Sequence, residues 1–528
     1  MSKVYLLDCT LRDGGYVNSW RFGEEAIKGF SRKIAMTGIE LYEVGFLKGD
    51  EYDPDCSIFP DVESFKNVIE PKNERMLYVG MLDMSAPVPI SRIPAYDGTS
   101  IDVIRVIFKK DKLDEAFEYC KKIMELGYKV SVNFVSTDLY SDDEFIAGIR
   151  KFNEIKPYAI AIVDTFGLIK RKQFLRLCYI ADNSMHPDVI LSYHAHNNLQ
   201  QAFGNAEALV EMNLKRDISI DACVFGMGRG AGNLNLELFA DYMNENYNTD
   251  YRIEPMLEIM DEYLNDIFKE KFWGYSLPLY LSATAGVHPN YAIYLAERNT
   301  LTVKSFNEIL GTIPKDMKER FSRENAEKVY KEYQEKYVDD RECIERLSKE
   351  LAGKTVVMLA PGKSLNTCSD MVNAYIEKIK TTGVSVIAVN CIASEYEPEY
   401  LFSSNMRRFS KMQGQTNAKC IITSNMKEAT QSDYVFNFSS YSLREPEIID
   451  NAGLMMIKIL CACGVKKVAI AGMDGYSADY SNDYYDKSLE FDYSKEASYR
   501  NALISEKLSE LSKQIEIEFI TETEYWKC

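Results

Sequence analysis

The chain has 528 residues, 46% hydrophobic and 27% charged, a composition typical of globular proteins and a length that predicts two or three domains. Its 62 basic and 80 acidic residues give a net charge of −18, which disfavours nucleic acids and anionic membranes as partners because both repel a negative protein. A local basic site for a small anion is compatible with this balance. No apolar run approaches the ~20 residues that span a bilayer.

Cysteine usage and the first residues bear on the compartment. The 12 cysteines are scattered, without the dense spacing of a secreted disulfide scaffold. The N-terminal stretch MSKVYLLDCT has too short an apolar run for a signal peptide. We therefore expect a cytoplasmic protein with reduced thiols. Separately, we expect a homo-oligomer.

Residues 1 to about 230 alternate short apolar runs with amphipathic helical segments. The segment LDEAFEYCKKIMELG ends at Gly127, a residue suited to a helix C-terminus. Runs rich in Val and Ile between helices predict parallel βαβ units. We count eight runs, the number that closes a (β/α)₈ (TIM) barrel, with an open doubly wound sheet as the alternative. The runs are VYLLD, IELYEVGF, RMLYVGML, DVIRVIF, KVSVNFV, YAIAIVD, VILSYHAH and ISIDACVFGMG.

The pattern changes beyond the eighth run. Residues from about 235 to 345 read as helices, and the charged stretch at 315–350 is expected to be an exposed helical connector. A second alternation follows, with the apolar runs TVVMLAPG, VSVIAVN, KCIITSN, DYVFNFS, KVAIAGMDGY and IEIEFIT. The predicted fold is thus α/β throughout: a TIM barrel at 1–235, a helical extension and connector at 236–350, and a Rossmann-like α/β domain at 351–528.

Candidate metal ligands lie where predicted barrel strands end, because functional side chains cluster at that face of a barrel. His194 and His196 follow the seventh run, and residues two apart on a strand point to the same side. Asp13 follows the first run, next to Arg12. Two imidazoles and a carboxylate form a mixed N/O set that suits a catalytic divalent ion better than a closed structural zinc site.

Three further polar residues lie at strand ends. Glu43 interrupts the otherwise apolar second run and is a catalytic candidate, with a buried pair to Arg12 as the alternative. Asn233, in GMGRGAGN, offers a carbonyl to a substrate beside glycines that permit close approach. Asp164 could support the site or cap a helix, and we favour the cap.

These motifs also resemble a family. DCTLRDGG, HAHNNLQQAFGNAEALVE and GMGRGAGN are similar to the pyruvate-metabolising metalloenzymes that include HMG-CoA lyase, isopropylmalate synthase and 4-hydroxy-2-oxovalerate aldolase, and most similar to the last. Over residues 1 to about 300 the resemblance implies a TIM barrel in which Asp13, His194 and His196 bind Mn²⁺, Mg²⁺ or a similar ion. It also implies that Arg12 stabilises an enolate and contacts the substrate.

The resemblance implies an aldolase that acts on a 2-oxo acid such as pyruvate and on an aldehyde. A divalent ion would act as a Lewis acid for the enolate charge, and Arg12 would donate to the same oxygen. One alternative is a Claisen-type acyl-CoA lyase or synthase. Another is a barrel without turnover, in a protein whose C-terminal domain has a nucleotide-dependent transferase role.

Two residues depart from the aldolase pattern. The aldolases usually have a catalytic histidine three residues after the metal-binding aspartate, where this chain has Tyr16. They have a tyrosine in an AGVY segment, where this chain reads AGVHPNY with His288. A histidine with a pKa near ~6.5 is a better base at neutral pH than a tyrosine near ~10. We expect His288 to move the proton and Tyr16 to orient the substrate; the alternative is that His288 only caps the following helix.

The C-terminal segment LAPGKSLN follows a run and opens a helix, an arrangement that can hold a phosphate. With VIAVN and AGMDGY it loosely resembles the Rossmann-like domains of the MptE-like pterin diphosphokinase and sialyltransferase group. The resemblance implies a nucleotide or nucleotide-linked ligand near Gly362, Ser364, Asn390 and Asp474. A domain for assembly or regulation is the alternative.

Overall fold

The computed structural model of the chain describes residues 2–69, 71–298, 300–318, 320–430 and 432–526. The residues separate into two compact units, with the boundary between Ala292 and Ile293. Within the described ranges, no helix is both long and apolar enough to cross a membrane.

The first unit contains a closed barrel of eight parallel strands, counted over the described residues, with a two-residue strand, β3, added beside β2. Closure comes from β1, which pairs with β2 on one side and with β9 on the other. The strands are β1 (Val4–Asp8), β2 (Leu41–Leu47), β3 (Ile58–Phe59), β4 (Leu77–Asp83), β5 (Val103–Phe108), β6 (Lys129–Phe134), β7 (Ala159–Asp164), β8 (Ile190–Ala195) and β9 (Ile218–Ala222). The predicted TIM barrel is confirmed.

Helices alternate with most of these strands because amphipathic segments follow most of the buried runs. The helix that starts after Ser141 is fixed by a capping box, in which Ser141 and Glu144 bond each other's backbone N–H groups. The helices of this part of the chain are α1 (Gly15–Asn18), α2 (Glu24–Ile34), α3 (Lys66–Ile69), α4 (Leu113–Glu125), α5 (Asp142–Asn153), α6 (Arg171–Ser184), α7 (Ala202–Glu211), α8 (Leu236–Tyr247), α9 (Glu254–Ile259), α10 (Asn265–Glu270), α11 (Leu277–Ala285) and α12 (Pro289–Glu297). Gly127, with φ of +96°, ends the α4 segment as expected.

The second unit contains a parallel sheet in the order β14-β13-β12-β11-β10-β15-β16. Its strands are β10 (Thr355–Leu359), β11 (Val384–Val389), β12 (Tyr400–Ser403), β13 (Lys419–Thr423), β14 (Tyr434–Phe436), β15 (Lys467–Ala471) and β16 (Glu516–Phe519). Six of them match the predicted runs. The sequence did not indicate β12, because its four residues are too few to show a period among the surrounding turn residues.

The helices of the second unit include three that precede the sheet in the chain. They are α13 (Val303–Thr312), α14 (Arg323–Gln334), α15 (Arg341–Leu351), α16 (Ser364–Thr367), α17 (Ser369–Ile379), α18 (Met406–Met412), α19 (Phe438–Tyr441), α20 (Ala452–Ala462) and α21 (Ala497–Leu511).

The charged stretch at 315–350 is not an exposed connector. Leu347 and Leu351 of α15 are buried in the core of the second unit, with Ile344 packed against that core. Tyr330 of α14 is also buried. A few apolar residues at spacings of three and four form one buried face, although charge dominates the composition. The three-part division of the chain into separable domains stays a prediction.

Candidate metal centre

The three predicted metal ligands meet at the carboxyl end of the barrel. Asp13 lies in a single π-helical turn, Thr10–Gly14, directly after β1. His194 belongs to β8, and His196 follows its last residue. Adjacent strands β8, β9 and β1 thus bring together side chains that are more than 180 residues apart in the chain.

These ligands form a tight, buried group. Asp13 Oδ2 lies 3.3 Å from His196 Nε2, and Asp13 Oδ1 lies 3.8 Å from His194 Nε2. One ligand atom from each residue lies within 4.8 Å of the others, so the three could hold one metal ion. The exposed fractions are 1% for Asp13, 4% for His194 and 9% for His196.

A second contact orients each imidazole. His194 Nδ1 lies 3.1 Å from Asp221 Oδ2, and His196 Nδ1 lies 3.1 Å from the backbone carbonyl oxygen of Asp164. When Nδ1 carries the proton and donates to these oxygens, Nε2 has a free lone pair on the side of Asp13. Both rings are thus held in the tautomer that a metal ion requires.

The side chain of Asp164 does not cap a helix in the way that the sequence suggested. Its carboxylate accepts N–H bonds from Leu168 and Ile169, at 2.8 and 3.0 Å, in the loop that precedes α6. Burial raises the pKa of this carboxyl to about 7. These bonds hold the loop after β7 against Asp164, the strand residue whose carbonyl oxygen contacts His196.

The protonation states favour cation binding. Burial opposes the ionisation of Asp13, but Arg12 and both histidines hold its pKa well below the usual value. Burial lowers the pKa of His194, against the opposing pull of its bond to Asp221. Asp13 is therefore an anion and His194 a neutral ligand at neutral pH.

A chain of buried ion pairs connects Arg12 to Asp221. Arg12 Nε donates to Glu43 Oε2 at 2.6 Å, and Arg12 Nη1 also pairs with Asp13. Arg105 Nη1 donates to the other Glu43 oxygen at 3.2 Å, while its Nη2 pairs with Asp221. Glu43 is fully buried, and both of its oxygens are engaged by guanidinium groups. This placement supports the alternative in which Glu43 positions Arg12.

Sequence reasoning missed Arg105 and Asp221, although both carried a signal. Each is a charged residue inside an apolar strand, as Glu43 is: Arg105 in VIRVIF and Asp221 in ISIDA. A charged side chain in a barrel strand is buried and needs a partner. The sequence could flag the three residues, but it could not pair them because β2, β5 and β9 are far apart in the chain.

Asn233 joins the metal cluster. Its Nδ2 donates to Asp13 Oδ2 at 2.6 Å and to the Met227 carbonyl at 3.0 Å. Its Oδ1 is buried and has no hydrogen-bond partner among the described residues. An unsatisfied buried oxygen beside two imidazoles and a carboxylate is what a cation or a hydrogen-bonding substrate would satisfy. The residues present therefore fit a divalent metal ion.

Tyr16 and His288 are brought together by Arg229, which sequence reasoning did not single out. The Arg229 guanidinium lies 4.1 Å from the centre of the Tyr16 ring, and its Nη1 lies 3.4 Å from His288 Nε2. Burial raises the pKa of Tyr16, although Arg229 opposes the shift. Tyr16 therefore keeps its hydroxyl proton at neutral pH.

His288 differs from the histidine that the sequence led us to expect. Its Nδ1 accepts the N–H of Asn290 at 3.2 Å, at the start of α12, which supports the helix-cap alternative. Burial, with Arg229 and Lys109, lowers the pKa of His288 to about 4. Nδ1 faces the Asn290 N–H and Nε2 faces Arg229 Nη1, and protonation of the neutral ring would remove its one acceptor nitrogen. His288 is neutral at pH 7 but less basic than an ordinary histidine.

Lys48 is a further cation near Arg12 that the sequence analysis missed. Its Nζ lies 4.2 Å from the Trp20 ring centre and 4.7 Å from that of Phe46. The Arg12 guanidinium lies 5.9 Å from the same Phe46 ring. Burial lowers the pKa of Lys48. Lys48 and Arg229 are thus two cations near Arg12 and Tyr16, in addition to the paired Arg12.

The residues predicted to bind a nucleotide lie in the second unit. Gly362, Asn390 and Asp474 line one cavity. Ser364 lies beside it, where its N–H donates to Asp474 Oδ2 at 2.7 Å. A Cβ at Gly362 would lie 2.4 Å from the Gly472 carbonyl oxygen, so this position needs glycine.

The barrel residues are similar in sequence to known proteins. The HMGL-like family model matches residues 3–261. The oxaloacetate decarboxylase of Mycobacterium tuberculosis is 25% identical over 239 residues, which are 44% of this chain and 67% of that protein. The 4-hydroxy-2-oxovalerate aldolase of Moorella thermoacetica is 23% identical over 297 residues, 55% of this chain and 85% of that protein.

One solved structure, the HMG-CoA lyase of Bacillus subtilis, aligns with a TM-score of 0.41 and 14% identity, covering 51% of this chain and 94% of that one. Residues 3–261 match the HMGL-like family model, and over this part the chain is similar to enzymes named as a decarboxylase and an aldolase.

Proposed function

We propose that the barrel is a divalent-metal-dependent aldolase that cleaves or forms a carbon–carbon bond next to the oxo group of a 2-oxo acid such as pyruvate, through an enolate. The observation that carries this proposal is the buried Asp13–His194–His196 cluster with Arg12 paired to Asp13. The relatives named 4-hydroxy-2-oxovalerate aldolase support the reaction class.

Asp13, His194 and His196 would hold Mn²⁺ or Mg²⁺, with the Asn233 oxygen available as a further neutral ligand or substrate contact. When bound, such an ion supplies a Lewis acid for the negative charge that develops on the oxo oxygen.

Arg12 stabilises the same negative charge. Glu43 and Asp13 hold its guanidinium through Nε and Nη1, which leaves other N–H groups of the fork to donate to an oxyanion. A donor fixed before the reaction loses little free energy to reorganisation as the charge develops. Glu43 positions Arg12 through its buried ion pair.

In this proposal His288 accepts the substrate proton and Tyr16 acts as a hydrogen-bond donor. His288 is neutral at pH 7 and can accept a proton, while Tyr16 keeps its hydroxyl proton because burial raises its pKa. Arg229 contacts both side chains and so links them. Tyr16 donates a hydrogen bond to the substrate, and Arg229 and Lys48 attract its carboxylate.

Exchange of the pyruvate methyl protons with D₂O tests this proposal. We expect exchange with added Mn²⁺ in the absence of any coenzyme A ester, measured by loss of the methyl proton signal in NMR. An acyl-CoA enzyme would require the thioester for turnover. Exchange that needs a coenzyme A ester, or no exchange by a protein that binds Mn²⁺, would contradict the proposal.

A further inference from the structure

The second unit has a cavity at the point where the strand order of its parallel sheet reverses, between β10 and β15. Successive strands extend from β10 through β11 to β14 on one side, while β15 and β16 lie on the other. The cavity is lined by residues just past β10, β11 and β15, including Pro361, Asn390 and Asp474. Ligands of open α/β sheets bind in the crevice beyond the carboxyl ends of the strands at such a point.

The cavity contains a buried cation that is incompletely satisfied. Arg408 of α18 is 6% exposed, and its Nε has no hydrogen-bond partner among the described residues. Its Nη2 donates to the Leu489 carbonyl, and none of the ion pairs between described residues involves it. A buried charge without a counterion is costly, so an anion from outside the chain would stabilise it.

The carboxylates around the cavity are engaged elsewhere. Asp474 accepts both the N–H and the hydroxyl of Ser364. Asp483 accepts the N–H and hydroxyl of Ser477, at 3.0 and 2.6 Å. Glu447 pairs with Arg323 at 3.5 Å. Asp450, which also lines the cavity, accepts the hydroxyl of Tyr330 at 3.4 Å. None of these interactions involves Arg408.

The N-terminus of α20 faces the same cavity. Ala452 and Gly453, the first two residues of this 11-residue helix, are among the lining residues. Asn451 caps the helix by accepting the Leu454 N–H at 3.0 Å. The first turn of a helix has free N–H groups and a partial positive charge, and so adds a second, independent preference for an anion.

An aromatic wall, formed by Tyr484, Phe491 and Tyr493, completes the lining. The Arg408 guanidinium lies 4.3 Å from the Phe491 ring centre and 5.2 Å from that of Tyr484. Phe491 and Tyr493 lie 5.9 Å apart, centre to centre. Rings of this kind bind a flat heterocycle by stacking or edge contacts.

We propose that this cavity binds a nucleoside phosphate, with the phosphate held by Arg408 and the α20 N-terminus and the base against the aromatic wall. The argument is independent of the barrel and of its proposed reaction. It adds Arg408, α20 and the aromatic wall to the residues that the sequence indicated.

Calorimetric titration of the full chain tests the proposal, with a chelator present so that the barrel centre holds no metal ion. The titrants are AMP, CMP, adenosine and inorganic phosphate. The variants are Arg408→Gln and, as a matched control, Arg407→Gln, which removes the same charge from an exposed position on the same helix.

We expect at least one of the two nucleotides to bind the parent and Arg407→Gln equally well. Arg408→Gln should weaken that binding by roughly 10- to 100-fold, as expected for one lost charge-assisted bond. Adenosine and inorganic phosphate should each bind more weakly than the nucleotide, because each lacks one half of the ligand.

Equal binding by Arg408→Gln, or no binding of either nucleotide by the parent at millimolar concentration, would overturn the proposal. If inorganic phosphate bound as tightly as AMP and CMP, the proposed contact between the base and the aromatic wall would be wrong. If Arg408→Gln does not fold, as judged by circular dichroism, Arg408→Lys replaces it. Lysine keeps the charge but not the fork, so binding should still fall.

Discussion

His194 Nδ1 lies 3.1 Å from Asp221 Oδ2, so a carboxylate buried in β9 fixes the ring that offers Nε2 to the metal cluster. Asp221 is in turn held by Arg105, which also binds Glu43. The position of one metal ligand therefore depends on charged side chains from β2, β5 and β9.

Asp221→Asn should weaken metal binding. The amide can still contact His194 but loses the negative charge that raises ligand basicity, and such changes typically cost ~10- to 100-fold in metal affinity. Mn²⁺ titration calorimetry measures the effect. Asp217→Asn is the control, because Asp217 precedes the same strand and bonds Lys3 and Tyr5 instead. Unchanged affinity in Asp221→Asn would show that this contact does not tune the centre.

Glu43→Gln separates the two roles considered for Glu43. If Glu43 mainly holds Arg12 and Arg105, removing its charge leaves two buried guanidinium groups underpaired and should lower the free energy of unfolding by about 3 kcal/mol or more. Urea denaturation measures this, with the exposed Glu51→Gln as control. Parental stability with lost turnover would instead assign Glu43 a direct catalytic role.

The barrel and the meeting of Asp13, His194 and His196 could be predicted because their signals are local. Eight apolar runs predict eight strands, and the two-residue spacing of His194 and His196 places both on one face. The ion-pair chain could not be predicted, because Arg105 and Asp221 are 116 residues apart and meet only when the barrel closes. The lowered pKa of His288 could not be predicted either. Burial and Arg229 cause it, and the segment AGVHPNY indicates neither.

His288→Asn tests the proton-transfer role without removing the helix cap, since asparagine is a good N-cap residue. We expect turnover to fall by ~10²- to 10⁴-fold, the usual range for a lost general base. Metal binding should match the parent. Near-parental turnover would leave His288 with the capping role alone.

The pH profile provides a separate check on His288. Because its pKa is lowered to about 4, the ring is neutral above that pH and becomes charged only below it. Protonation of His288 should therefore reduce kcat near pH 4, with no loss from this group between pH 5 and 8. A parental acid limb near pH 6.5 that disappears in His288→Asn would contradict the lowered pKa.

A chain that ends after Glu297, the last residue of α12, should fold and retain metal-dependent pyruvate proton exchange. The metal cluster, Arg12, Tyr16 and His288 all precede Ile293, the start of the second unit. Circular dichroism and the NMR exchange assay check both properties. A truncated chain that folds and binds Mn²⁺ but does not catalyse exchange would show that the second unit contributes to the reaction.

The most direct test of the metal-dependent mechanism measures bound Mn²⁺ and pyruvate proton exchange on the same samples of the parent, His194→Ala and His186→Ala. His186 lies outside the metal cluster and serves as the matched control. We predict one Mn²⁺ per chain and full exchange for the parent and His186→Ala, and loss of both for a folded His194→Ala. Parental metal content or parental exchange in His194→Ala would contradict the account.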